Sequence, residues 1–173
     1  MTAMMEQQMH SFVPSEATAG HYRRALGRFV TGVTVVTAAT PEGPMGITVN
    51  SFASVSLDPP LVLWCPARTS RRFRPFAQAP YFCIHILGEE HLALSRRFAS
   101  GDGLFADLDP ELTPQGVPLL PHPLARFDCA HHTRHDGGDH EIVLGRVLRA
   151  QLREDGKPLV FSGGDYGQFS SGV

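Results

Sequence analysis

At 173 residues the chain is long enough for one domain with a real core, and 42% hydrophobic with 18% charged residues is a globular balance. A formal net charge of -2 excludes the strong basic field that favours nucleic acid or an anionic membrane. No apolar run reaches the roughly 18 residues of a spanning helix. The opening MTAMMEQQMHSF lacks the basic start and apolar run of a secretory signal, so a cytoplasmic protein is expected.

Residues 1–16 are polar and Met-rich without periodicity and are expected as a flexible tail, leaving one domain over 17–173. Over 18–30, Tyr22, Ala25, Leu26 and Phe29 recur at helical spacing behind a Thr18 cap. TGVTVVTAA at 31–39 is β-branched and reads as a strand; TPEGP at 40–44 is turn chemistry. GITVNSFASVS at 46–56 reads as the second strand of that hairpin, with a bend or bulge near 50–53. LDPP at 57–60 interrupts pairing, because proline donates no N–H, and LVLWC at 61–65 resumes it.

Ser70 heads a short helix over 70–79, limited by Pro75. YFCIHIL at 81–87 is a strand, and EEHLALSRRFAS at 89–100 a helix with acids first and Arg96 and Arg97 last. The Gly-, Pro- and Asp-rich stretch 100–118 is a long loop of the kind that is usually functional or mobile. Two long strands, about 124–134 and 140–153, meet at the Asp-Gly-Gly-Asp turn at 136–139, and PLVF at 158–161 is a last strand. Hairpins predominate and strand does not alternate with helix. The expected fold is therefore mainly β, an antiparallel barrel with a few peripheral helices.

Cys65, Cys83 and Cys129 are odd in number and form no CxxC pair, so neither a disulfide framework nor a zinc site is suggested. Cys83 and Cys129 read as core thiols. His131, His132, His135 and His140 crowd together, but neighbours on a strand point to opposite faces, so no metal site is expected. No GxGxxG, GxxxxGK[ST] or GxSxG is present, which disfavours Rossmann, P-loop and α/β-hydrolase chemistry.

Four places carry candidate chemistry. Thr48, Asn50, Ser51, Ser54 and Ser56 offer small polar groups such as a flavin ring and ribityl chain require, although such residues are also common on half-exposed strands. RTSRR at 68–72 fits an anion site at a helix start, and equally a solvated basic turn. His140, behind Gly138 and Asp139, is a turn-anchored imidazole able to bond a nicotinamide amide. Tyr166, after Gly164 and Asp165, is an aromatic able to cover a planar ligand.

The ordered pieces RRALGRFVTGVTVVTA, GITVNSFASVSLDPPLVLWC, FCIHIL, SRRFAS, GVPLL, GDHEIVLGRV and PLVFSGGDY span about 20–166 and resemble the flavin reductase family. Its fold is the FMN-binding split barrel, a Greek-key antiparallel β-barrel. The resemblance is nearest to reductase components of two-component monooxygenases acting on aromatic rings. It implies that Thr48, Val49, Asn50, Ser51, Ser54, Val55 and Ser56 line the isoalloxazine and ribityl, with Cys65, Pro66 and Ala67 as a wall. Ser70 and Arg71 would hold phosphate, with Arg97 and Phe98 approaching from the second helix. Asp139, His140 and Tyr166 match nicotinamide-binding positions, His140 being the catalytic candidate.

The implied reaction moves hydride from NADH or NADPH to FMN or FAD, so positioning is the protein's main contribution and no general base is needed. Reduced flavin would diffuse to a separate monooxygenase, and the reductase would be a homodimer. One departure stands out: Leu104 occupies a mobile-loop position where many relatives carry a basic residue. Two rivals share the barrel, namely a flavin carrier without turnover and an oxidase of pyridoxine-phosphate type.

Overall fold

The computed structural model describes residues 9–101, 103–105 and 108–172. Ten strands fall into two antiparallel sheets. The larger has the order β3-β2-β6-β7-β8-β5-β4, formed by β2 (Thr34–Thr40), β3 (Gly43–Val49), β4 (Ala53–Leu57), β5 (Pro60–Trp64), β6 (Tyr81–Ile86), β7 (Ala125–Gly137) and β8 (His140–Leu152). The smaller, β1-β9-β10, comprises β1 (Thr31–Gly32), β9 (Leu159–Ser162) and β10 (Asp165–Gln168). Three helices, α1 (Ala19–Leu26), α2 (Phe73–Gln78) and α3 (Leu92–Ala99), lie outside.

The stretch expected as one strand over 46–56 is two. β3 and β4 occupy opposite ends of the seven-stranded order, yet only Asn50, Ser51 and Phe52 separate them in sequence. Four Cα steps cover at most about 14 Å, so the sheet must curl until its edges approach, which is the barrel. A second irregularity, between Ser54 and Ser56, displaces Val55 from the ladder with β5.

β2 is buried on both faces, which its apolar run TVVTAAT permits. Alternate residues divide between two cores: Val36 and Ala38 join Trp64, Phe76 and Phe82, while Val33 and Val35 join Leu87, Phe98, Phe105 and Leu159. The sheets meet where Val33 N–H donates to Leu159, Leu159 N–H to Leu87, and Leu87 N–H to Val33.

Several boundaries differ from expectation. β7 and β8 continue to the Gly137–His140 pair, so the turn is two residues, with Gly138 at φ 75° in the first, the position where a tight hairpin demands glycine. β10 was not foreseen; it pairs with β9 across Gly163 and Gly164. The first helix is a 3₁₀ turn followed by eight residues, and none of its side chains is buried.

The expected tail, 1–16, falls outside the described residues over 1–8. Its remainder turns back on α1, with Phe12 and His21 rings 5.7 Å apart. Residues 102, 106 and 107 of the expected loop are likewise outside the described set. Within the described part, Phe105 and Val117 are buried and Thr37 Oγ1 donates to the Pro118 carbonyl at 2.6 Å, whereas Leu108 and Leu112 are exposed.

Candidate active site

The bend at 50–52 is fastened to the end of β5. Cys65 N–H donates to Ser51 Oγ at 2.9 Å, which sets residues 49–51 beside 65–67. The latter segment then pairs with the tip of the long hairpin. Ala67 and His140 form an isolated antiparallel bridge, with Arg68 N–H donating to Asp139 and Glu141 N–H to Pro66. Arg68 closes the junction from outside through Asp136, at 2.9 Å, and the Gly138 carbonyl. The expected flavin wall and the expected nicotinamide imidazole therefore share one backbone.

At that tip His140 Nδ1 lies 2.8 Å from Asp139 Oδ1, so a proton on Nδ1 is donated to the carboxylate. The bond, and then the imidazole's charge, hold the Asp139 carboxyl below its usual range. Nε2 bonds no described residue and is the remaining polar atom of the ring.

Ser70 does not cap α2. That helix begins at Phe73 and is only six residues long, and the Ser70 hydroxyl instead accepts the Arg72 N–H at 3.2 Å within a turn. Only the helix start is corrected on that ground: 68–72 forms a tight turn that precedes the helix. Its Thr69 and Arg71 N–H groups bond no described residue, and the Arg71 side chain is exposed.

Arg72, unmarked by the sequence reading, is the buried member of the turn. Its guanidinium donates to the carbonyls of Gly46 at 3.1 Å and Phe98 at 2.6 Å. β3, the turn and the end of α3 are thereby locked together, with Arg71 and Arg97 flanking the lock. No local signal separates it from the exposed Arg71 and Arg74 on either side.

Phe98, expected to approach a ligand, is fully buried against Phe105, so its ring is core and its carbonyl is held by Arg72. Thr48 likewise turns inward, donating to the Ser95 carbonyl at 2.7 Å. Ser95 Oγ meets the Tyr166 hydroxyl at 2.9 Å, and Arg96 lies over the Tyr166 ring. Tyr166 is therefore anchored to α3 rather than spread over the hairpin tip. Ser95 carried no signal in the sequence. Leu104 pairs with Met45 and packs, partly buried, against the core.

Burial pushes the Cys65 thiol up, partly offset by the Ser51 hydrogen bond, so it is a neutral wall and not a nucleophile. Burial pushes Cys129 up to about 12 and Cys83 higher still, aided by the Asp128 carboxylate. Among the described residues no three His, Cys, Asp or Glu side chains gather at one point.

The donor set left over tests whether a flavin mononucleotide fits. The side chains of Asn50, Ser54, Ser56, Arg71 and Arg97 and the N–H groups of Thr69 and Arg71 bond no described residue. An amide, two hydroxyls, two guanidinium groups and main-chain donors, beside the apolar Val49, Cys65 and Ala67, are complementary to a ribityl phosphate under a flat ring. The residues fit the group. On the β4 side of these residues Val55 and Leu57 are exposed.

A family model described as a flavin reductase like domain matches residues 26–170. The chain is 56% identical over 161 residues, 93% of its length and 92% of the relative's, to an FMN reductase (NADH) of Agrobacterium fabrum. It is 42% identical to the reductase subunit of a flavin-dependent monooxygenase from Rhodococcus jostii, over 84% of this chain and 75% of that one. An NADH:FAD oxidoreductase of Streptomyces globisporus, solved in complex with NAD and FAD fragments, superposes with a TM-score of 0.85 at 35% identity, covering 93% and 98% of the two chains.

Proposed function

The chain belongs to the flavin reductase like family, and we propose that it reduces FMN or FAD with a reduced pyridine nucleotide and releases the flavin to a separate flavin-dependent monooxygenase acting on an aromatic substrate. The observation that supports this reading is the bridge between Ala67 and His140, which sets the segment read as a flavin wall beside the imidazole read as a nicotinamide contact. NADH is the favoured donor, because the relative that is 56% identical is named for it. The catalytic unit is a single domain over 17–173.

When bound, the flavin supplies an N5 that accepts hydride from C4 of the dihydronicotinamide. The protein's task is placement. Asn50, Ser54 and Ser56 would bond the ribityl and pyrimidine edge, Val49, Cys65, Pro66 and Ala67 would exclude water from one ring face, and Arg71 and Arg97 would neutralise the phosphate, with Ser70 holding the turn that presents them. Asp139 fixes the His140 ring so that Nε2 meets the nicotinamide amide. Tyr166, held by Ser95, borders the same space.

Two copies complete the site. Leu26 (57% exposed), Phe29 (78%) and Leu57 (96%) are large apolar side chains left mostly exposed in one chain, and β4 leaves a free edge. A homodimer covers these and closes the cradle. Three free cysteines suit the reducing cytoplasm.

The reading is tested by NADH oxidation with and without added flavin, alongside sedimentation of the purified chain. Turnover that needs added FMN or FAD, by a dimer, supports it. A tightly retained flavin with no NADH turnover overturns it in favour of a carrier.

A further inference from the structure

Ser95 bonds toward both halves of the reaction site from the middle of α3, where it is fully buried. Its carbonyl accepts the Thr48 hydroxyl at 2.7 Å, from the strand that runs into the flavin bend at Asn50. Its own hydroxyl donates to the Tyr166 oxygen at 2.9 Å, in the strand that carries the aromatic read as a nicotinamide contact.

The helix itself does not account for that hydroxyl. A buried helical serine commonly bonds the carbonyl one turn back, and alanine suits a helix interior better. Here the bond leaves the helix and crosses to β10. That strand is four residues long and lies at the edge of the smaller sheet, paired there with β9. The Tyr166 ring is also held by Phe161, with centroids 5.3 Å apart, and by Arg96 at 6.0 Å, contacts that set no direction for the hydroxyl. Ser95 fixes the phenol oxygen.

On its other side α3 is seated closely on β3. Gly46 leaves room for the Phe98 ring, which a Cβ there would meet at 2.6 Å, and Arg72 ties the Gly46 and Phe98 carbonyls together. The helix therefore carries the position of the flavin strand to the Tyr166 phenol. Because Ser95 supplies the proton in their bond, the phenol's own proton stays available for an outside acceptor such as a carboxamide oxygen.

We propose that Ser95 is a positioning residue for hydride transfer: it fixes the Tyr166 phenol relative to the flavin strand, and so tunes nicotinamide affinity without touching either substrate. The inference rests on the reductase reading and on the place given there to Tyr166.

The test measures NADH KM, flavin KM, kcat and urea stability for Ser95→Ala, Tyr166→Phe and the double variant. Ser95→Ala keeps the carbonyl that Thr48 uses, so the flavin side is left intact. The expected result is a rise in NADH KM of about three- to tenfold for Ser95→Ala, and at least as much for Tyr166→Phe, with flavin KM little changed. The double variant should match Tyr166→Phe alone, because without the phenol there is nothing for Ser95 to place. Thr48→Val, which cuts the link to β3, should raise NADH KM too; an unmoved value overturns the link to the flavin strand. A purely structural Ser95 would lower stability with both KM values unmoved or raised together, and that result overturns the inference. So does a rise for Tyr166→Phe that Ser95→Ala does not reproduce, which keeps the tyrosine in the site and removes the serine. Ser95→Cys, a weaker donor of similar size, makes the same comparison if Ser95→Ala does not fold. Absence of NADH turnover in the unsubstituted protein defeats the reductase reading, and the inference with it.

Discussion

The Arg72 guanidinium donates to the Phe98 carbonyl at 2.6 Å, joining a buried charge to the end of α3. Because Gly46 in β3 shares the same guanidinium, one side chain sets the spacing of the three segments that frame the phosphate end of the cradle. Replacing Arg72 by Met strands buried carbonyls, a loss of about 2–4 kcal/mol in urea unfolding. Flavin KM rises with it, and Arg72→Lys, which restores charge but not the fork, recovers part of both. A variant as stable as the parent contradicts this role.

Ser51 governs the other end. Removing its hydroxyl leaves the Cys65 N–H without an acceptor, costing about 1–2 kcal/mol and loosening the wall at 65–67. Ser51→Ala is therefore expected to raise flavin KM severalfold while NADH KM moves little. Steady-state kinetics with each substrate varied in turn checks the split.

His140→Ala removes the imidazole that Asp139 orients. Loss of one hydrogen bond predicts a nicotinamide KM about tenfold higher, with a smaller change for flavin. If nicotinamide KM and rate are both unchanged, His140 is outside the site.

His85 predicts how the fold responds to acid. The ring is fully buried, with Nδ1 3.2 Å from the Val35 carbonyl and Nε2 accepting the Leu120 N–H at 3.3 Å, so the neutral form is the one that fits. Burial lowers its pKa from 6.5 to about 4, outweighing the Val35 bond. The unfolded chain thus takes a proton before the folded one does. Stability should fall by roughly 3 kcal/mol as pH drops through that interval and be complete above it. Urea unfolding across the interval shows the slope, and His85→Gln should lack this part of it.

Most of the barrel was legible because alternation and turn chemistry are local: the β7–β8 hairpin, the β2–β3 hairpin and the strand at 81–87 follow from their own residues. The division of 46–56 was legible only as a bend near 50–53, since the sheet's curl, which sends the two halves to opposite edges, is a long-range property. β10 was missed because Gly167 and Asp165 dilute a short strand whose support comes from β9. At the site, the resemblance implied that 65–67 and His140 serve one ligand pair, but their backbone bridge was not foreseen, and the inward turn of Thr48 and Phe98 depends on α3, which no local signal places. Arg72 was hidden among exposed arginines of identical type.

The central claim is that a flavin on the 65–67 wall accepts hydride from a nicotinamide placed by the hairpin tip. Anaerobic mixing of the protein with FMN or FAD and NADH measures it directly, by loss of the oxidised flavin's visible absorbance. The account predicts rapid bleaching that depends on protein concentration and is slowed by His140→Ala at subsaturating NADH. Flavin that keeps its colour with NADH and with NADPH alike contradicts it.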